Sequence, residues 1–130
     1  MMSAPLTMLL WSSLLMFVLI LIPATLAILQ NGGPAQAGAR DNLPEPTVFM
    51  KRANRLNANM LENMVLFTAL VAIVGFSGAD TANINLGATI FFYARLVHAV
   101  VYLAGWPFVR TLVWLVSVIG MGMMVYDLFI

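Results

Sequence analysis

The sequence has no cysteine and a single histidine, and only 8% of its residues are charged. Without cysteine there is no disulfide, no protein thiolate nucleophile and no cysteine metal site. One histidine cannot make a metal-ligand set on its own, so no metal is expected. Cysteine usage therefore says nothing about compartment. An ordinary soluble domain carries about 25% charged residues. A small fold also leaves a large share of its surface exposed. A chain of 130 residues that is 62% hydrophobic, with mean hydropathy +0.97, has too little polar surface to cover itself in water. These shortages exclude a soluble enzyme and a disordered chain. A net charge of +1 offers no basic field for polyanions, so no nucleic-acid partner is expected. No glycine-rich phosphate loop follows a strand pattern. What remains is an integral membrane protein, read as one domain over residues 1–130.

What is present is a set of long apolar runs. A membrane span needs about 20 mostly apolar residues at about 1.5 Å each. Four such spans are predicted, over about 4–29, 47–74, 84–104 and 108–129. The first carries no charge. It has neither the basic start nor the short core of a signal peptide, so it reads as a retained span. Residues 30–46, rich in Gly, Pro, Asn and Asp, read as a loop. Ser77-Gly78-Ala79-Asp80-Thr81 reads as a turn, and Gly105-Trp106-Pro107 breaks the third span from the fourth. Transmembrane β-strands would show alternating segments of about ten residues. These runs are longer and uniformly apolar, so the expected fold class is all-α, a four-helix bundle in the membrane. Gly120 and Gly122 suit close helix packing in lipid.

Lys and Arg favour cytoplasmic loops. Arg40, Lys51, Arg52 and Arg55 fall in the first loop and the start of the second span, and Arg110 falls just past the third loop. Both termini are therefore expected outside, with loops one and three in the cytoplasm. The polar half of span two and the Arg110 region then share one membrane face.

An ionisable residue at the centre of a span costs roughly 2.5–3.5 kcal/mol on insertion scales, so such residues are functional candidates. Arg55, Asn59 and Glu62 stand at i, i+4 and i+7 and share a helix face. Arg95, His98 and Tyr102 stand at i, i+3 and i+7 and share another. Two such stripes in opposition form a wet, mixed-charge cleft for a small zwitterion or anion. Arg offers a bidentate fork to a carboxylate, Glu62 an acceptor to an ammonium, and Asn59 both a donor and an acceptor. Plainer readings stand beside these. Lys51 and Arg52 read as interfacial snorkellers. Arg55 with Glu62 has a second reading as a structural ion pair, and His98 one as a packed histidine. Tyr102, Trp106 and Tyr126 suit an aromatic belt, and Asp127 the headgroup region. The ten Met residues read as lipid-facing or core filler.

The segment Arg55-Leu-Asn-Ala-Asn59-Met-Leu-Glu62-Asn63, followed by an apolar run, resembles the signature of the MAPEG family, the membrane-associated proteins of eicosanoid and glutathione metabolism. Arg95-Leu-Val-His98-Ala-Val-Val-Tyr102, then Arg110, resembles that family's third span and the start of its fourth. Arg40-Asp41-Asn42 in the polar loop is similar to its bacterial members. The resemblance covers about residues 5–130. It implies a homotrimer of four-helix subunits in lipid, with glutathione as co-substrate held between neighbouring subunits near the cytoplasmic face. By the family's pattern, Arg55, Asn57, Asn59, Glu62, Arg95, His98 and Tyr102 bind glutathione. Glu62 takes the γ-glutamyl ammonium. Arg110 is the implied catalytic residue, stabilising the thiolate. The hydrophobic second substrate enters from the bilayer, and a bacterial inner membrane is the favoured location.

The sequence departs from the family's eicosanoid members at one telling place. They carry an arginine near the end of span one that stabilises the glutathione thiolate. Residues 20–30 here contain none, and Gln30 is the only strongly polar side chain there. Asn63 and Trp114 stand where different branches have Tyr. Three functions follow. The first is a glutathione-dependent transferase or peroxidase acting on hydrophobic electrophiles or lipid hydroperoxides. The second is a non-catalytic membrane protein of the same fold that binds glutathione or a similar small ligand. The third is a small multidrug exporter, which would need a carboxylate in span one that this chain lacks. A trimer fits the first two, a dimer the third.

Overall fold

The computed structural model describes residues 1–130. Four helices in it are long and apolar enough to cross a membrane. There is no strand, so the fold is all-α, as the apolar runs require. The first helix, α1, runs Ala4–Asn31. Its Ser3 cap accepts a hydrogen bond from the Leu6 amide at 3.4 Å, and Pro5 occupies the first turn, where a missing N–H costs nothing. At 28 residues it is about 42 Å long, more than the roughly 30 Å hydrocarbon core. Its last turns therefore reach the headgroup level.

The segment expected to be all loop holds one short helix, α2, Gly33–Ala37. Pro34 explains the difference. Its fixed φ suits a first helical turn, and Ala35, Gln36 and Ala37 are good helix formers in a stretch dominated otherwise by turn residues.

The remaining three helices begin and end at legible signals. Helix α3, Val48–Ser77, is capped by Thr47, whose hydroxyl accepts from the Met50 amide at 3.2 Å, and it stops at Gly78 with φ 71°. Helix α4, Ala82–Ala104, is capped by Thr81 and stops at Gly105 with φ 80°. Helix α5, Pro107–Phe129, starts on a proline. Both glycines sit in the left-handed region that only glycine adopts without strain. Span three starts two residues earlier than hydropathy suggests, because the Thr81 cap sets its beginning.

Helices α4 and α5 pack most intimately, while α1 lies against α3 and α4. In lipid there is little hydrophobic drive between helices, so close approach and van der Waals packing hold the bundle. The crossing of α4 and α5 is centred on Gly87 and Gly120. A Cβ added to Gly120 would stand 2.6 Å from the Gly87 carbonyl oxygen, and one added to Gly87 would collide with the carbonyl of Gly120. The core beside that crossing stacks Phe67 of α3 on Phe91 of α4, ring centres 3.9 Å apart. Met60, Met64, Met121 and Met124 fill the gaps, so these four methionines are core and not lipid-facing.

Asp127 has a structural part beyond the headgroup placement expected of it. Its carboxylate accepts from the Thr81 hydroxyl at 2.5 Å and from the Asn83 amide at 2.9 Å. It thereby ties the start of α4 to the end of α5, at the membrane face opposite the Arg110 turn.

Candidate functional site

The reversal from α4 to α5 takes two residues, Gly105 and Trp106. The Gly105 amide donates to the carbonyls of Val101 and Tyr102 at 3.1 Å each, closing α4. Pro107 then starts α5, so Arg110 lies one turn into the new helix and folds back over α4. Its guanidinium carbon stands 5.0 Å from the centre of the Tyr102 ring, within cation–π range. The tightness of the reversal is set by Arg52. A Cβ on Gly105 would stand 2.7 Å from the Arg52 guanidinium carbon. The start of α3 and the α4–α5 turn thus meet at one end of the bundle, and Arg52 is packed against protein instead of snorkelling free.

Two adjoining cavities open at this end. One, about 310 Å³, is lined by Asn59, His98, Tyr102, Arg110, Thr111 and Trp114. The other, about 120 Å³, is lined by Arg52, Arg55, Tyr102, Gly105, Trp106, Pro107 and Arg110. They share Tyr102 and Arg110 and form one cleft. No carboxylate lines either part, while three guanidinium groups do. Such a cleft suits an anion with polar groups along its length.

Arg95 stands behind the cleft. It is fully buried, its Nη2 donates to Asn59 Oδ1 at 2.7 Å and its Nε reaches the Met60 sulfur at 3.3 Å. The pair fixes which way the Asn59 amide faces, since an Oδ1 held by Arg95 leaves Nδ2 to point elsewhere. Replacing Asn59 with Leu is therefore expected to destabilise the bundle by about 1–3 kcal/mol, the cost of an orphaned buried donor. Asn59→Asp, which keeps the acceptor, is expected to be tolerated. Thermal unfolding of the purified protein in detergent checks both.

Of the residues singled out in the sequence, Arg55, Asn59, His98, Tyr102 and Arg110 line the cleft. Arg95 acts from beneath it. Asn57 is half-buried off the cleft, with an Oδ1 that has no partner. Glu62 is exposed on another part of α3 and lines neither cavity. The Arg55–Glu62 ion pair is not formed. Two helical turns separate them, and the one salt bridge in the chain joins Lys51 to Glu45 at 3.0 Å, exposed and of little energetic weight. Thr111 was not singled out by sequence reasoning. Its position directly after Arg110 at the start of a span was the only signal available.

A comparison with curated proteins found no match. The model of the MAPEG family matches residues 6–130, nearly the whole chain. That match and the four apolar helices agree on an integral membrane protein, a four-helix bundle related to glutathione and eicosanoid metabolism. The chain belongs to the MAPEG family.

Proposed function

We propose that the protein is a membrane-bound glutathione-dependent transferase or peroxidase that acts on hydrophobic electrophiles or lipid hydroperoxides. The observation that carries this reading is the cleft at the Arg110 turn. It brings Arg55, Asn59, His98, Tyr102 and Arg110 together at one membrane face with no acid among its walls. Glutathione at neutral pH carries two carboxylates and one ammonium. The carboxylates match Arg55 and its neighbours, and the Asn59 amide serves a peptide group. Glu62 faces out of the subunit, where it can take the γ-glutamyl ammonium of a ligand shared with an adjacent copy. We therefore place glutathione between the subunits of a homotrimer, with Asn57 on the same shared surface. Family membership supports this assembly, and a bacterial inner membrane is its proposed location.

The chemistry turns on the thiol. A free thiol has a pKa of about 8.5, and only its thiolate is nucleophilic. Arg110 is the cation next to the aromatic floor, and a cation within a few ångströms favours the thiolate. In conjugation the thiolate sulfur bonds to the electrophilic carbon, and the leaving group departs with the electron pair of the broken bond. Arg110 holds the negative charge until that transfer. Trp114 and the lipid-facing apolar surface supply the side from which a hydrophobic substrate arrives.

Glutathione titration of the detergent-purified protein, read by thiolate absorbance at neutral pH, tests the proposal. A saturable signal is expected. Its absence with binding retained would favour the non-catalytic reading of the same fold, for which the missing span-one arginine speaks. Arg55→Ala and Glu62→Ala are each expected to weaken glutathione binding about tenfold or more, the weight of one charge-assisted contact, while the oligomer persists on size exclusion. Unchanged affinity in both would remove these residues from the site.

A further inference from the structure

A second cavity, about 490 Å³, lies between the last turns of α1, the start of α3 and the loop that joins them. It shares no lining residue with the Arg110 cleft. Its volume falls in the range of small-molecule sites, about 300–1,000 Å³. One wall is apolar. Ile20, Ala24, Ala27 and Ile28 stand at i, i+4, i+7 and i+8 on α1 and so form a single stripe. The roof is polar and lies at the headgroup end of that stripe, where Asn31, Gln36, Arg40 and Asn54 converge.

Three features of the roof point to what it holds. Arg40 is the single cation of the lining, and no carboxylate accompanies it. Its Nε donates to the Gln36 carbonyl at 2.6 Å, which orients the guanidinium and leaves both terminal nitrogens without a protein acceptor. Arg40 also holds a left-handed backbone, φ 66°, a conformation that costs a non-glycine residue about 1–2 kcal/mol and that the surrounding loop must impose. The Asn31 amide nitrogen donates to Gln36 Oε1 at 3.1 Å, but its Oδ1 is buried with no donor. A buried acceptor of this kind takes an N–H or O–H from a ligand or from an ordered water.

We infer that this cavity binds a single-chain amphiphile whose head carries one anionic group beside a hydroxyl. The anion pairs with Arg40, the hydroxyl donates to Asn31 Oδ1, and the chain lies along the α1 stripe. A hydrocarbon tail fits against that stripe, whereas a fully polar anion would bury polar groups against it with no partner. A cavity of this size with one cation takes one chain and one anionic group. The inference does not depend on the function proposed for the Arg110 cleft.

The test uses the full chain in phosphatidylcholine nanodiscs and equilibrium binding of radiolabelled palmitoyl lysophosphatidate. Palmitate, hexadecanol, inorganic phosphate and glutathione serve as competitors. Saturable binding is expected, with lysophosphatidate held tighter than palmitate because only its glycerol supplies the hydroxyl. Arg40→Gln is expected to weaken lysophosphatidate about tenfold and to leave hexadecanol unaffected. Ala24→Trp fills the apolar wall and is expected to abolish binding of both, and Ile20→Trp on the same stripe gives a second readout if that variant folds poorly. Glutathione affinity is expected to be unchanged in all three. Equal lysophosphatidate binding by the parent protein and Arg40→Gln would overturn the inference. So would competition by inorganic phosphate at the same concentration as the lipid, which would make the site one for a free anion. Competition by glutathione would place both ligands in one cavity and overturn a separate site.

Discussion

Arg110→Ala is expected to lower turnover with a hydrophobic electrophile by about 10²–10³-fold, while glutathione affinity falls far less. That range is the usual cost of removing one preorganised group that stabilises a developing or resident anion. The structural basis is position. Arg110 is the one guanidinium that borders both parts of the cleft, and it is held 5.0 Å above the Tyr102 ring. Span one offers no arginine to share the work. The decisive readout is the thiolate absorbance of bound glutathione at neutral pH. Loss of that signal with binding retained identifies Arg110 as the thiolate's partner. Arg110→Lys keeps a cation but loses the planar fork over Tyr102, so partial recovery is expected. Full activity in Arg110→Ala would mean that another group stabilises the thiolate, and His98 would then be the next lining residue to replace.

The second large effect is expected far from the cleft. Gly120→Ala should destabilise the bundle by about 1–3 kcal/mol, the usual cost of forcing atoms into a packed contact. The added methyl would meet the backbone of α4 at two places. It would stand 2.6 Å from the Gly87 carbonyl oxygen and 3.0 Å from the Phe91 nitrogen, and neither can rotate away as a side chain would. Gly122→Ala is the control, since nothing lies within 4 Å of a Cβ built there. It should leave stability unchanged or raise it slightly, as alanine is the better helix former. Thermal unfolding in detergent separates the two. The same substitution should reach function. Helix α4 carries His98 and Tyr102, and α5 carries Arg110, so wedging the helices apart at Gly120 also displaces the guanidinium from its ring. A glutathione titration of Gly120→Ala is therefore expected to show a weakened thiolate signal. Equal stability of the Gly120 and Gly122 variants would show that the crossing gives way without cost.

How far the site could be read from the chain depends on the residue. Arg95, His98 and Tyr102 betray themselves by being polar at helical spacing inside an apolar run, and Arg55 and Asn59 by sharing a helix face in the polar half of span two; each needs a partner or water. Periodicity assigns them to two stripes, but it does not say how deep each stripe lies. Arg95 and Tyr102 belong to one stripe, yet one is sealed behind Asn59 and the other lines the cavity. Glu62 follows Asn59 on the same stripe, yet stands outside the cleft of its own subunit. Depth follows from how α3 and α4 are rotated against each other, which depends on packing across the whole length of the pair.

Composition and local signals were enough for the four spans. Scarce charge and four long apolar runs dictate helices in lipid, because only a helix satisfies its own backbone over that length. Thr47, Thr81, Gly78, Gly105 and Pro107 mark where helices start and stop, since caps and left-handed glycines act over three or four residues. The alternation of loops with and without Lys or Arg assigns the two basic ones to a single face. The pairings across the chain were beyond its reach. Asp127 meets Thr81 and Asn83 over more than forty residues, Arg52 meets Gly105, and Gly87 meets Gly120. Each of these contacts requires two helices to be in place first. None has a local pattern, because each residue is as ordinary in isolation as its neighbours, and only the assembled bundle makes it a partner.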